Sequence, residues 1–353
     1  MTDNSNRDPV RISYAFIVLT FVVVAWQHLA TPLLAALFSY FALTKLQVGK
    51  SGGKWVAVAL FLGVVTGIAY GAVVFVHRTL EALPEIAGKA IPSIIAWAKT
   101  FQMELPFTDY DSLMALAAET VRDQENVLGK FANLARGAST QILFLIVGIV
   151  VAVSVFLNAQ LELERHKHAV RNNLYSLCCD EIAARFTALY HSFTTVMGAQ
   201  ISIATINTAL TAVFVVAVRL PHPVVVIGVT FFCGLLPVVG NLISNTIIVA
   251  IGFIVSPQMA LGALAFLVVI HKLEYFLNSK IIGARIRNPI WVTLLALVLG
   301  EKLMGIPGMI LAPVLLNYLK MEMARIEVKL ALEQGSVAAD AAPPRVVTSG
   351  QVR

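Results

Sequence analysis

Residues 55–76 and 140–158 each run without one Asp, Glu, Lys, Arg or His. About 20 such residues make an α-helix long enough to cross the hydrocarbon of a bilayer. Backbone in lipid must satisfy its own hydrogen bonds, so spanning segments are helices or closed barrels. Barrel strands alternate in polarity over about ten residues. These runs do not alternate, and an all-α, polytopic helical membrane protein is expected. Composition leads the same way. The chain of 353 residues is 58% hydrophobic and 13% charged, with mean hydropathy +0.81, against about 25% charged residues in a soluble domain. That balance excludes an ordinary soluble enzyme, a disulfide scaffold and a disordered chain.

The net charge of +6 is read as Lys and Arg gathered on the cytoplasmic side rather than as a nucleic-acid surface. No nucleic-acid partner is expected, and the lipid bilayer is the surrounding partner. Cys178, Cys179 and Cys233 form no CxxC or Cys/His cluster and read as packing residues. No cleavable leader is expected, because no small-x-small site follows the apolar stretch 12–26.

Along the chain, residues 12–43 are expected to form two short helices, 12–26 and 29–43, parted at Gln27, His28, Thr31 and Pro32. Residues 55–76 span. Residues 77–139 recur in apolar character every three or four positions and are expected to be amphipathic helices interrupted at Pro84, Pro92 and Pro106. Their acidic balance suits an outer cap. Residues 140–158 span again. Residues 159–195 form an expected cytoplasmic amphipathic helix. Its apolar face would hold Val170, Leu174, Cys178, Ile182, Phe186 and Phe193, and its polar side Arg165, Lys167, Arg171 and Arg185. Spanning helices follow at 196–218 and 258–277. Most of the 26 Lys and Arg then fall on one side, which places both termini in the cytoplasm. Residues 1–333 make one membrane domain, and the tail 334–353 is expected to be disordered.

Two apolar runs in the last third are broken. Residues 223–256 are interrupted by Gly234-Leu-Leu-Pro237-Val-Val-Gly240-Asn241. Residues 289–319 are interrupted by Gly300-Glu301-Lys302-Leu-Met-Gly305-Ile-Pro307-Gly308. A break at membrane depth is tolerated where it is buried in protein or lines a water-filled cavity. Carriers use such broken helices to build sites; the plainer reading is a tight turn between two short packed helices.

Glu274 and Glu301 are the acids that fall within the membrane segments, where ionisable groups are costly and usually functional. His271, Glu274 and Asn278 are spaced i, i+3, i+7 and share a helix face. Glu274 there either carries a proton or cation, or pairs with Lys272. Glu301 either joins such a site or pairs with Lys302 at a hairpin tip. Gln200, Asn207, Asn241 and Asn245 either line a pathway or hydrogen-bond between helices. No HExxH, GxSxG or phosphate-binding loop is present, so no enzyme, metal site or cofactor is expected.

Three blocks together resemble the autoinducer-2 exporter (AI-2E) family, the PerM-like permeases. They are Gly234-Leu-Leu-Pro237-Val-Val-Gly240, then Leu273-Glu274 through Lys280-Ile-Ile-Gly283, then Asn288-Pro289 with Gly305-Ile-Pro307-Gly308-Met-Ile-Leu-Ala312-Pro313. Gly198-Ala199-Gln200 loosely matches a further family motif. Many relatives have Pro where this chain has Asn241 and Ser279, a difference that bears on substrate more than on fold. The resemblance implies a secondary transporter with about eight membrane segments, some re-entrant, that assembles as a homo-oligomer with pentamers as precedent. It also implies elevator-like movement of a transport half. Its activity would be export of a small polar solute or exchange of Na+ or Li+ for protons, with H+ or Na+ as coupling ion.

The expectation is therefore a permease of the bacterial inner membrane. Helices in 12–76 and 140–158 would form the scaffold and 196–319 the transport half. Glu274, with His271, Asn278 and Glu301, would couple the ion. Gln200, Asn207, Asn241 and Asn245 would line the pathway, and Gly234, Pro237, Gly240, Gly305, Pro307 and Gly308 would shape the hairpin tips. The rivals are a non-transporting scaffold or regulator and a passive channel.

Overall fold

The structure, a computed structural model, describes residues 7–47, 53–103, 112, 127–158, 173–236, 239–281 and 289–325. Every regular element among the described residues is a helix: α1 (Arg7–Trp26), α2 (Ala30–Leu46), α3 (Gly53–Thr100), α4 (Val127–Leu157), α5 (Leu174–Ala217), α6 (Pro223–Gly234), α7 (Val239–Val255), α8 (Pro257–Ile281) and α9 (Ile290–Met323). Six stretches, in α1, α3, α4, α5, α8 and α9, are long and apolar enough to cross a membrane. Three more helices, α2, α6 and α7, are apolar but shorter. The protein is a polytopic helical membrane protein.

The first two helices separate as the sequence leads one to expect. His28 adopts φ +54° in the turn, and the Leu29 amide donates to the Val24 carbonyl to close it. The helix α3 departs from expectation. It runs unbroken through Pro84 and Pro92 to Thr100. A proline removes one amide donor and crowds one carbonyl, and the bonds on either side of each proline carry the helix on. Pro106 lies outside the described residues, as do Leu113, Ala117 and Val121 and the side chains of Leu128, Phe131 and Leu134.

The helix α5 departs further. It is continuous over 44 residues, so the expected amphipathic and spanning helices are one rod from Leu174 onward; Arg165, Lys167, Val170 and Arg171 lie outside the described residues. Its buried face at that end is Ser176, Arg185, Ala188, Leu189, Ser192 and Phe193, while Leu174 and Phe186 are exposed. Arg185, expected on the polar side, is buried. In a bilayer an apolar side chain is equally at home facing lipid, so apolar periodicity does not mark the packed face.

Among the described residues, three packed clusters join different helices, and a fourth, Leu297, Met309 and Ala312, lies within α9. One gathers Ile17 and Val24 of α1, Leu34 of α2, Leu189 and Phe193 of α5, and Leu311 and Val314 of α9. A second gathers Ala82 and Ile86 of α3, Val215 at the far end of α5, and apolar faces of α6, α7 and α8. A third joins Leu43, Phe61 and Phe156 from α2, α3 and α4. The two rods α3 and α5 thus each belong to clusters at opposite ends of the molecule. The remaining large apolar side chains, such as Val18, Leu62, Val73 and Leu143, are exposed along the helices, the pattern of a lipid-facing surface.

Both broken runs are helical hairpins. In α9 the break is at Gly305, with φ +66° and ψ −154°. This conformation is closed to side chains bearing a Cβ. The two arms, 290–304 and 306–323, then cross at Gly300 and Gly308. A Cβ on Gly308 would lie 2.1 Å from the Gly300 carbonyl oxygen. Gly308→Ala is expected to destabilise the protein by about 1–3 kcal/mol, read as a lower unfolding temperature in detergent. Gly262→Ala, whose Cβ would meet nothing within 4 Å, serves as the neutral control.

A buried ionic group closes the end of the molecule where α1 begins and α9 stops. Arg185 Nη1 donates to Glu322 Oε2 at 2.5 Å, and Nη2 donates to Glu181 Oε2 at 2.9 Å. Tyr14 Oη donates to Glu322 Oε2 at 2.8 Å, and Arg325 Nη1 to Glu322 Oε1 at 3.1 Å. The Arg185 guanidinium also sits 4.4 Å from the Tyr14 ring centroid. Glu322 is 3% exposed, and α1, α5 and α9 each supply a partner.

Candidate functional site: the tip of the α6–α7 hairpin

The helices α6 and α7 return on each other within 12 and 17 residues, or about 18 and 26 Å of helix. The hairpin starts at a turn where His222 takes φ +54°. His222 Nε2 lies 3.7 Å from Glu85 Oε2 of α3. Glu85 also accepts a hydrogen bond from Lys89, and that bond holds its carboxyl below the usual range. The arms meet most closely at Gly240, where a Cβ would stand 1.7 Å from the Cys233 carbonyl oxygen. Pro237 lies outside the described residues.

Two neighbouring helices grip the tip. From α5, Gln200 Nε2 donates to the Gly234 carbonyl at 2.7 Å. This satisfies a carbonyl that the end of α6 leaves without an intrahelical partner. From α8, Glu274 accepts from Asn241 Nδ2 at 3.1 Å through Oε2 and 3.3 Å through Oε1. One turn away, Asn245 Nδ2 is 3.2 Å from His271 Nε2. With that amide donating, the ring proton belongs on Nδ1. Nδ1 is buried without a hydrogen-bond partner and faces Glu274 Oε2 across 3.8 Å.

The arrangement is a carboxylate, an imidazole and two carboxamides shared between a re-entrant tip and a full-length helix. Glu274 keeps 20% of its side chain exposed. It can accept a proton or ligate a cation, and either event competes with the Asn241 amide. A change at Glu274 is therefore felt by the hairpin.

The sequence candidates fall as follows. His271, Glu274, Asn241 and Asn245 converge. Gln200 is adjacent through Gly234. Asn207 is buried on the same face of α5, 8% exposed, with Oδ1 unpartnered. Asn278 is in α8, but its side chain lies outside the described residues. Glu274 is paired with Asn241 rather than with Lys272, which is exposed. Glu301 and Lys302 are both exposed near the α9 tip. No ion pair joins them among the described residues, and Glu301 is not in the Glu274 group. Gly234 packs against Ala204 of α5, and Gly305, Pro307 and Gly308 form the other hairpin tip. The Arg185–Glu322 group escaped the sequence reading. Its partners are 137 positions apart, and no local spacing links them.

Short apolar helices folded back into a bundle, with polar groups meeting at a broken tip, are an arrangement from which membrane carriers build sites. The chain belongs to the AI-2E transporter family, whose model matches residues 12–326. It is also similar to "Putative transport protein YdbI" of Bacillus subtilis (strain 168), at 32% identity over 134 residues. That match takes in 37% of this chain and 38% of the relative's length. The protein is accordingly a multi-pass membrane protein of a transporter family.

Proposed function

We propose that the protein is a secondary carrier of the bacterial inner membrane, with both termini cytoplasmic. It couples movement of a monovalent cation or a small polar solute to protonation of Glu274. The observation that supports this is the double contact of Glu274 with Asn241. When charged, the carboxylate holds the hairpin to α8; when it binds H+ or Na+, that hold weakens and the tip is released. His271 Nδ1 stands close enough to share the change in charge.

The moving part is proposed to be α6–α8 with the far half of α5, travelling against α1, α2 and α4. The second hairpin, α9, expected from the sequence in the transport half, shares its cluster with α1 and α2 and is here assigned instead to the stationary side. A homo-oligomer would supply a fixed frame for such elevator-like movement.

The test uses the purified full-length chain in proteoliposomes containing a pH dye. After a proton gradient is imposed, Na+ or Li+ is expected to drive proton movement in the wild type. In Glu274→Gln the response falls to that of empty liposomes. Full activity in Glu274→Gln would remove the coupling role. A wild type with no response to either cation would leave the solute reading.

A further inference from the structure

A groove of about 1130 Å³ runs between α2, α4 and α5, away from the hairpin site. Its α2 and α4 walls are mostly apolar, with Leu33, Leu37, Phe41, Val151 and Val155 among the lining residues. Its α5 wall carries serine and threonine hydroxyls that donate within their own helix. Thr187 donates to the Ala183 carbonyl, Thr194 to that of His191 and Ser202 to that of Gly198. Along its length the groove is lined mainly by apolar groups and suits a hydrocarbon chain.

One end differs. The ammonium of Lys45 stands 5.8 Å from the Phe41 ring centroid. Lys45 is exposed and has no acidic partner among the described residues. Beside it, Thr44 Oγ1 and Tyr190 Oη are 3.0 Å apart. Lys54 lies at the same end, donating to the Leu157 carbonyl and facing Phe156, whose ring packs on Tyr40. A hydrocarbon slot that ends at Lys45, with Lys54 behind it across the Tyr40 and Phe156 rings, is complementary to one kind of molecule: a lipid with an anionic headgroup.

We propose that this groove is a binding site for an anionic phospholipid, with an acyl chain lying between α2, α4 and α5 and the headgroup phosphate at Lys45 and Lys54. The lipid fills the wedge where α5 stands off from α2 beyond the Phe38–Phe193 and Tyr40–Tyr190 ring contacts. It thereby ties the stationary helices to the rod that holds Gln200. The site stands whether or not Glu274 proves to be the coupling group.

The test is native mass spectrometry of the full-length protein taken into mild detergent from vesicles of equal phosphatidylglycerol and phosphatidylcholine. Retained phosphatidylglycerol is expected to exceed phosphatidylcholine by about fivefold or more, and Lys45→Gln to lower that preference by about fivefold. Thr194→Phe, which projects bulk into the groove, is expected to lower retention of both lipids without altering the unfolding temperature. Equal retention in the wild type, or an unchanged preference in Lys45→Gln, would overturn the proposal. So would glycerol phosphate competing as well as the whole lipid, or a photo-crosslinker at position 151 capturing a second copy of the chain in place of lipid.

Discussion

Arg185→Ala is expected to lower the unfolding free energy by about 3 kcal/mol, the lower part of the range for breaking a buried ion pair. The side chain has two separate carboxylate contacts, to Glu322 and Glu181, and stacks on Tyr14. Its loss leaves Glu322, with 4% of its side chain exposed, facing Tyr14 and Arg325 alone. Those two partners keep the loss from being larger. The double replacement Arg185→Met with Glu322→Leu is expected to be less damaging than the single one. It removes both charges from the interior and fills the space with apolar atoms. Equilibrium unfolding in mixed micelles reads both values. A single variant as stable as the wild type would show that the group contributes nothing to holding α1, α5 and α9 together.

Gly240→Ala is expected to abolish transport as completely as Glu274→Gln. The added carbon would fall 1.7 Å from one backbone atom of Cys233 and 2.5 Å from another, so no rotamer change relieves it. The arms α6 and α7 must part, at a cost of about 1–3 kcal/mol. Asn241, the next residue, is carried off Glu274. The measurement is the same proton flux, with Gly262→Ala as the variant that keeps full activity. If Gly240→Ala transported normally, the tip would be free to open without consequence, and the contact between Asn241 and Glu274 would not be part of the cycle.

These two sites differ in how far the sequence reveals them. The hairpin is written locally: Gly234 and Gly240 punctuate an apolar run, and His271 and Glu274 are three apart on one helix. The pairing of α7 with α8 through Asn241 joins residues 33 positions apart in consecutive helices, the commonest kind of neighbour. The Arg185 group has no such signature. Its members come from three distant helices, and the i, i+4 spacing of Glu181 and Arg185 is equally that of a solvated helix face. The apolar stripe at Leu174 and Phe186 misleads for a physical reason, since lipid and protein interior are alike to a leucine. Pro84 and Pro92 suggest breaks because a proline costs a hydrogen bond, yet two missing bonds in a 48-residue helix do not stop it. The placing of α9 beside α1 and α2 rests on side-chain shape across the bundle, which no period along the chain records.

The helix α5 is 44 residues long and contains one glycine, Gly198, and no proline. At about 66 Å it is a beam embedded in both end clusters, so movement of one end against the other must bend it. Bending concentrates where a helix has least side-chain support. A Cβ on Gly198 would find only one atom of Phe41 nearby, at 3.9 Å, and Gln200 lies two residues farther on. Flexure of the beam at Gly198 therefore pulls directly on the bond between Gln200 and the Gly234 carbonyl. Strain applied at the Arg185 end would reach the hairpin tip through a single covalently continuous member, with no chain of side-chain contacts needed to relay it.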